Sequence, residues 1–259
     1  MKNTKIHPAW IAAGITFITL VASAGYRSAP SVLIVPLEEA FGWTRDQISL
    51  AVSVNILLYG LTAPFAAALM ERFTVRKVVM SALFAVGLGS FFTLFMTRPW
   101  HLVLLWGVVV GVGTGSMALV FAATVANRWF VEKRGLVIGG LTAAAATGQL
   151  IFLPVISSLA LNFGWQSVSI TIGIAALIVV PLIWWGLNES PQSINAKPFG
   201  AKADWTAPTP IPGSAAKNAI VALKRGSRRK DFWLLFGTFF VCGLSTNGLI
   251  GTHFIPAAH

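Results

Sequence analysis

Apolar residues along this chain come in long uncharged blocks separated by short polar ones. Gln47 to Met70, Val78 to Thr97 and Pro99 to Asn127 hold no charge, and Gly135 to Asn188 runs uncharged for 54 residues. A helix that crosses a bilayer core needs roughly 20 apolar residues. The blocks divide into seven predicted spans: 10–36, 47–69, 78–97, 101–125, 135–160, 165–187 and 232–255. Asn162-Phe163-Gly164 cuts the longest block into two helices. Thr97-Arg98-Pro99 separates the third span from the fourth, because a proline and its predecessor resist helix continuation. Ala22-Ser23-Ala24 has the small-x-small form of a signal-peptide cleavage site, but apolar character resumes through Pro36, so the first block is read as a retained span. The fold class is therefore all-α, a polytopic membrane helix bundle.

Composition agrees. Of 259 residues 56% are hydrophobic and 10% charged, against about 25% charged in a soluble domain, too few to cover a water-exposed surface. The net charge of +11 does not indicate a nucleic-acid partner, because the bases sit in loops between apolar blocks. The N-terminus and the loops after spans 2, 4 and 6 carry 16 of the 19 lysines and arginines; the opposite loops carry Arg45 and Arg98, and Arg27 lies inside span 1. Excess Lys and Arg marks the cytoplasmic side, which predicts a cytoplasmic N-terminus and an outward-running span 7. The single cysteine, Cys242, excludes an internal disulfide.

Residues 188–231 form the one long loop, with Pro191, Pro198, Pro208, Pro210 and Pro212 among Gly, Ala and Lys. This composition predicts an extended, mobile linker. Its end, Ala215 to Arg225, reads either as a short surface helix with its basic side toward headgroups or as a solvated basic loop. The predicted domains are a six-helix bundle over 1–190, a basic Pro-rich cytoplasmic linker over 191–231, and the first helix of a second bundle over 232–259.

The loop between spans 2 and 3, Ala67-Ala68-Leu69-Met70-Glu71-Arg72-Phe73-Thr74-Val75-Arg76-Lys77, resembles the loop signature of the major facilitator superfamily, Gly-x-x-x-Asp-Arg-x-Gly-x-Arg-Lys. Glu71, Arg72, Arg76 and Lys77 match in chemistry; Ala67 and Thr74 stand where the family has glycines. Acid at one helix end and bases opening the next can pair with each other and with helix-end dipoles, so these four residues are a candidate conformational gate. Trp43-Thr44-Arg45-Asp46-Gln47-Ile48-Ser49, Arg128-Trp129-Phe130 with Arg134-Gly135, and Gly164-Trp165-Gln166 are similar to segments of the branch holding oxalate/formate and monocarboxylate porters. The resemblance implies two six-helix halves joined by a cytoplasmic linker and alternating access without a cofactor. Such a porter has twelve spans, so the chain is expected to need a C-terminal bundle or a second copy. Many proton-coupled members carry an arginine four residues before a Gly-x-Gly run in span 4. Here the run Gly111-Val112-Gly113-Thr114-Gly115 is present, but Gly107 holds the arginine position. The run lies in an apolar helix without the strand and lysine of a nucleotide loop. Gly107 and Gly111, four apart, instead predict close helix approach, as do Gly139-Gly140, Ala143 to Ala146 and Gly148 in span 5.

Arg27 is the only charge inside a predicted span. A charge at the bilayer centre costs from about 3 kcal/mol upward and usually faces a polar cavity. Asn55, Gln149 and Asn247 fall at similar depth, and their amides suit an anion's oxygens; each also reads as a helix–helix hydrogen bond. A guanidinium grips a carboxylate with paired hydrogen bonds. Arg27, Asn55, Gln149 and Asn247 are therefore the candidate substrate-binding set, and a small organic anion the expected substrate, with lipid the other partner. His7, His101, His253 and His259 are scattered, giving no metal-ligand spacing, and no catalytic set is apparent. The alternative functions are a non-transporting membrane receptor or assembly protein on the same scaffold, and an inactive fragment of a twelve-helix porter.

Overall fold

The computed structural model describes residues 7–117, 119–202, 205–206 and 215–250. Among the described residues six helices are long and apolar enough to cross a membrane: α1 (Pro8–Phe41), α2 (Arg45–Phe73), α3 (Val75–Phe95, closing in a tighter turn), α4 (Pro99–Trp129), α5 (Arg134–Phe163) and α6 (Trp165–Gly186). They follow the six predicted blocks to within a few residues at each end, most running further into the flanking polar positions and α3 and α6 stopping one or two residues short. The seventh predicted span appears as α8 (Lys230–Gly243), whose helix continues through Ile250 in wider turns; the rest of 232–255 lies outside the described residues. Between α6 and α8 stands α7 (Ala215–Gly226), so the surface-helix reading of Ala215 to Arg225 holds as regards its helicity.

Helix ends follow local chemistry. Gly42 stops α1 in the left-handed region, its N–H donating to the Glu38 carbonyl, and the Gln47 side chain accepts the Thr44 N–H at the start of α2. The α2–α3 turn is held by Thr74 at φ 104°, ψ 143°, with its hydroxyl accepting the Lys77 N–H at 3.3 Å. The turn is thus tight although threonine stands where the resembling signature has glycine. Non-glycine residues in such sparsely populated regions carry on the order of 1–3 kcal/mol of strain. Thr74→Gly should relieve most of it and lose only a few tenths of a kcal/mol of capping. We expect a thermal midpoint in detergent higher by ~2–4 °C; a lower one would show that the turn is not strained.

Inside the bundle α1 lies along α5, α3 along α6, and α2 along α4, while α1 also meets α6 and α3 meets α4. The small residues of α4 explain its position. A Cβ on Gly107 would come 3.1 Å from the Ala51 carbonyl, on Gly111 3.1 Å from the Asn55 backbone, and on Gly115 2.7 Å from the Tyr59 carbonyl; on Gly113 it would meet Ala82 O at 3.0 Å. Gly107, Gly111 and Gly115 thus seat α4 on α2, as the four-residue spacing predicted, and Gly113 seats it on α3. In hydrocarbon, where apolar burial drives little association, such backbone proximity supplies the packing. In α5 the corresponding position is Gly148, where a Cβ would lie 2.5 Å from the Val21 carbonyl of α1. Gly139 and Gly140 have nothing within 4 Å, so only part of the predicted small-residue stretch serves close packing.

The outer surface is apolar: Leu57, Leu150, Leu161, Phe163 and Trp185 are all more than half exposed. Faces of this extent belong against lipid or another protein. Burial is uneven. The apolar windows of α2 and α5 are 17% and 22% buried, against 44–56% in the other four spanning helices.

The linker departs from the expectation of mobility over its first dozen residues. Pro191 and Pro198 are buried. Phe199 donates its N–H to the Trp129 carbonyl at 2.8 Å and accepts from Val131 N at 2.9 Å. Its ring packs edge-on against His7 and Trp10 and tilted against Phe130. Gly200, at φ +76°, passes where a Cβ would sit 2.5 Å from the Glu132 side chain. Partial burial of one aromatic against the core, with two backbone hydrogen bonds, outweighs the polar composition around it. Residues 207–214, with Pro208, Pro210 and Pro212, lie outside the described residues.

Candidate functional site

Two clusters hold most of the sequence-predicted residues, one at mid-bundle and one at its basic end. At mid-bundle, Arg27 stands within a turn of the centre of the 34-residue α1, on a half-buried strip with Ser23 and Pro30, while its neighbours Tyr26 and Ser28 are buried. From there to Phe41 is roughly 21 Å at the helical rise, more than a guanidinium can reach. The guanidinium carbon lies over the Tyr59 ring, 5.4 Å from its centroid. An arginine against an aromatic face gains on the order of 0.5–2 kcal/mol, most when desolvated, which offsets part of the cost of its depth. Tyr26 points the other way, its hydroxyl donating to the Ile172 carbonyl of α6 at 3.3 Å, as adjacency on one helix requires.

Asn55 lies one turn before Tyr59 on α2 and is half-buried. Its Nδ2 donates to the Trp106 carbonyl at 2.8 Å. Trp106 belongs to Val103–Val110, where α4 widens into π-type turns. Wide turns disturb the regular ladder, and a backbone carbonyl in hydrocarbon must find a donor; Asn55 is that donor. One amide proton and Oδ1 of Asn55 are not used by this bond. Gln149, half-buried at the centre of α5, makes no side-chain hydrogen bond among the described residues. Its neighbour Gly148 packs on Val21 and Ala24, and Phe152 packs on Gly25, so Gln149 shares the depth of Arg27 to within about a turn. The side chain of Asn247 lies outside the described residues. Arg27 and Tyr59 are in direct contact, with Asn55 one turn from Tyr59 along α2 and Gln149 about a turn from Arg27 in depth on α5. Tyr59 was missed by sequence reasoning, though it is one of only two tyrosines in the chain and falls four residues after Asn55.

At the basic end, the signature loop is tied to α6 rather than closed upon itself. Arg76 Nε donates to the Leu187 carbonyl at 2.8 Å, and its Nη2 lies 3.5 Å from Asn188 Oδ1. The Val75 N–H, at the start of α3, donates to both Glu189 carboxylate oxygens at 3.1 and 2.8 Å. The same carboxylate pairs with Arg128 from the end of α4, whose Nη1 also reaches the Glu189 carbonyl at 3.3 Å. Glu189 therefore joins three helix ends: a carboxylate on the positive N-terminus of α3, which is favourable, and a charge-assisted pair. Among the described residues Glu71 is in no ion pair, Arg72 lies over the Phe73 ring at 5.2 Å, and the Lys77 N–H is taken by Thr74. Arg76 is thus held by the Leu187 carbonyl and the Asn188 amide, and the acid that ties this end together is Glu189, not Glu71. Glu189 had a signal: it is the first charge after the 54 uncharged residues.

Comparison with known proteins follows the same lines. The family model of the Major Facilitator Superfamily matches residues 15–257. An uncharacterized MFS-type transporter of Bacillus subtilis, YcxA, is 27% identical over 250 residues, covering 95% of this chain and 57% of the relative. Monocarboxylate transporter 11 of Mus musculus is 24% identical, covering 96% of this chain and 51% of its own length. The membrane sensor protein UhpC of Salmonella typhimurium is 28% identical over 165 residues, 62% of this chain and 36% of the relative. The chain thus spans about half the length of the first curated relatives it matches.

Proposed function

Because the chain belongs to the major facilitator superfamily, a family of multi-pass membrane transporters, we propose that it is the first-bundle part of a secondary transporter. The cargo is a small organic anion, with a monocarboxylate the leading class, and transport proceeds by alternating access. The observation that carries this reading is Arg27 at mid-bundle over Tyr59; the amides of Asn55 and Gln149 are proposed to line the same cavity. A fixed positive charge there, with aromatic and amide groups around it, offers a carboxylate a charge-assisted anchor and adjustable donors. The monocarboxylate transporter named among the relatives supports the class. Asn247, from the seventh span, is proposed as a fourth contributor.

The Glu189 cluster serves as the gate's fixed half. It locks the ends of α3, α4 and α6 into one body, so that Arg72 and Lys77 on the signature loop are presented to a facing bundle. The exposed faces of α2 and α5 are where that bundle, or a second copy, would pack. Rocking of one body against the other then exposes the Arg27 layer to each side in turn. The proposed setting is a bacterial cytoplasmic membrane with the N-terminus inside. Cysteine labelling from the outside should reach Arg98→Cys and spare Lys133→Cys; the reverse pattern would overturn this orientation.

One observation favours a second reading: a relative bears the name of a membrane sensor, so the scaffold can serve a protein named for sensing. Flux separates the two. The chain together with a second bundle, in sealed vesicles, should move a labelled carboxylate and be competed by others. Binding of a carboxylate without any flux would favour the sensor.

A further inference from the structure

The stretch before the seventh span combines features that the transport reading does not use. From Lys224 to Lys230, five of seven residues are basic: Lys224, Arg225, Arg228, Arg229 and Lys230. α7 carries the first two of them in its last turn and packs beside α2. Its Ile220 and Leu223, three residues apart and so on one face, are 55% and 40% exposed. Lys217 and Lys224 flank that face, being three residues before Ile220 and one after Leu223, and both are exposed. The turn into α8 is fixed. The Trp233 indole donates to the Ser227 carbonyl at 2.8 Å, Ser227 N donates to Leu223 O and Arg229 N to Gly226 O, each at 2.8 Å. Phe232, Trp233 and Phe236 gather over the first two turns of α8, and indole rings reside at headgroup depth. Trp233 therefore holds the end of α7 and the basic run at the level where α8 enters the bilayer.

We propose that α7 and the adjoining basic run form a docking surface for an anionic bilayer. Ile220 and Leu223 dip below the headgroups, while Lys217 and Lys224 contact lipid phosphates. Charge complementarity argues for this occupant: exposed apolar residues rimmed by lysines, joined by a fixed turn to a membrane span, match an interfacial helix. A soluble acidic protein would have no use for Ile220 and Leu223 at this depth.

The test uses the full chain carrying Cys242→Ser and one new cysteine labelled with a polarity-sensitive fluorophore. Leu223→Cys reports on the apolar face. Val221→Cys, two residues away and nearly opposite on the helix, is the control. The protein is placed in phosphatidylcholine vesicles, or in phosphatidylcholine mixed with phosphatidylglycerol, with nitroxide quenchers on the acyl chains. The label at 223 should be quenched with phosphatidylglycerol, much less without it, and progressively less as salt is raised. The label at 221 should stay unquenched. Replacing Lys217 and Lys224 together by Gln should reduce the docked-to-undocked ratio by on the order of 25-fold, about fivefold per base. Equal quenching in neutral and anionic vesicles would overturn the proposal. So would a label at 223 shielded from both water and acyl-chain quenchers, since α2 or another protein face would then be the occupant.

Discussion

Replacing Arg27 with lysine should cut carboxylate uptake by ~10–100-fold while the protein still inserts and folds. Lysine keeps the charge at mid-bundle but cannot present two parallel N–H groups to one carboxylate. Hydrogen bonds to charged groups are worth about 1.5–3 kcal/mol each, and each 1.4 kcal/mol is about tenfold. Lysine also loses the guanidinium's contact with the Tyr59 ring, so the remaining cation is less well aimed. Arg27→Ala should abolish carboxylate uptake, with surface level unchanged or raised, because a costly group leaves the membrane. Tyr59→Phe should be mild if the ring face is what matters, and Tyr59→Leu severe. The assay is initial uptake of a panel of labelled carboxylates by the protein with its second bundle, normalised to protein in the membrane. Uptake unchanged in both Arg27 variants would remove Arg27 from the binding layer and reduce it to a tolerated charge.

The second large effect concerns packing and needs no substrate. Gly148→Ala should destabilise the bundle by about 1–3 kcal/mol and Gly148→Val by more, since overpacking forces backbone movement. The reason is specific: the new Cβ would fall 2.5 Å from the Val21 carbonyl and 2.6 Å from Ala24 Cβ. A carbonyl on a neighbouring helix cannot rotate aside as a flexible side chain can, so α1 and α5 must separate. Gly139→Ala on the same helix meets nothing within 4 Å and should be neutral or slightly stabilising, by up to about 1 kcal/mol of helix propensity. Thermal unfolding of the pair in one detergent compares them directly. Similar midpoints for Gly148→Ala and Gly139→Ala would show that the α1–α5 seam is looser than described. Because Gly148 adjoins Gln149 and lies near the depth of Arg27, any variant that survives should also shift the polar layer and weaken uptake.

Much of this molecule is legible before any coordinates, for reasons that differ by element. The six spans could be placed to within a few residues because a bilayer forbids unpaired backbone, which makes long apolar helices the only solution. Gly107 and Gly111 announced a helix contact because spacing by four keeps both on one face. Arg27 stood out through its cost alone. The helix ends were harder. Glu189 meets Val75 from 114 residues away, and no local pattern names that partner; Glu71, the natural choice on local spacing, is in no ion pair among the described residues. Asn55 shows a second limit: amide depth is readable, but the donation to Trp106 depends on a wide turn in another helix. The docking of Phe199 was hidden by averaging, since one aromatic in a Pro-, Gly- and Lys-rich segment barely alters its composition yet decides where the segment lies.

That docked aromatic bears on where this gene can be cut. A shortened version ending at Asn188, just past the sixth span, would leave the buried Phe130 ring and the Trp10 and His7 rings at the basic end without Phe199. It would also lose Glu189, and with it the shared acceptor of Val75 and Arg128. The missing ring would leave a greasy notch beside the headgroups, and such a product should aggregate on extraction. A version ending after Lys202 keeps the lid and the acid, and is the shorter piece to express when the first bundle is wanted on its own.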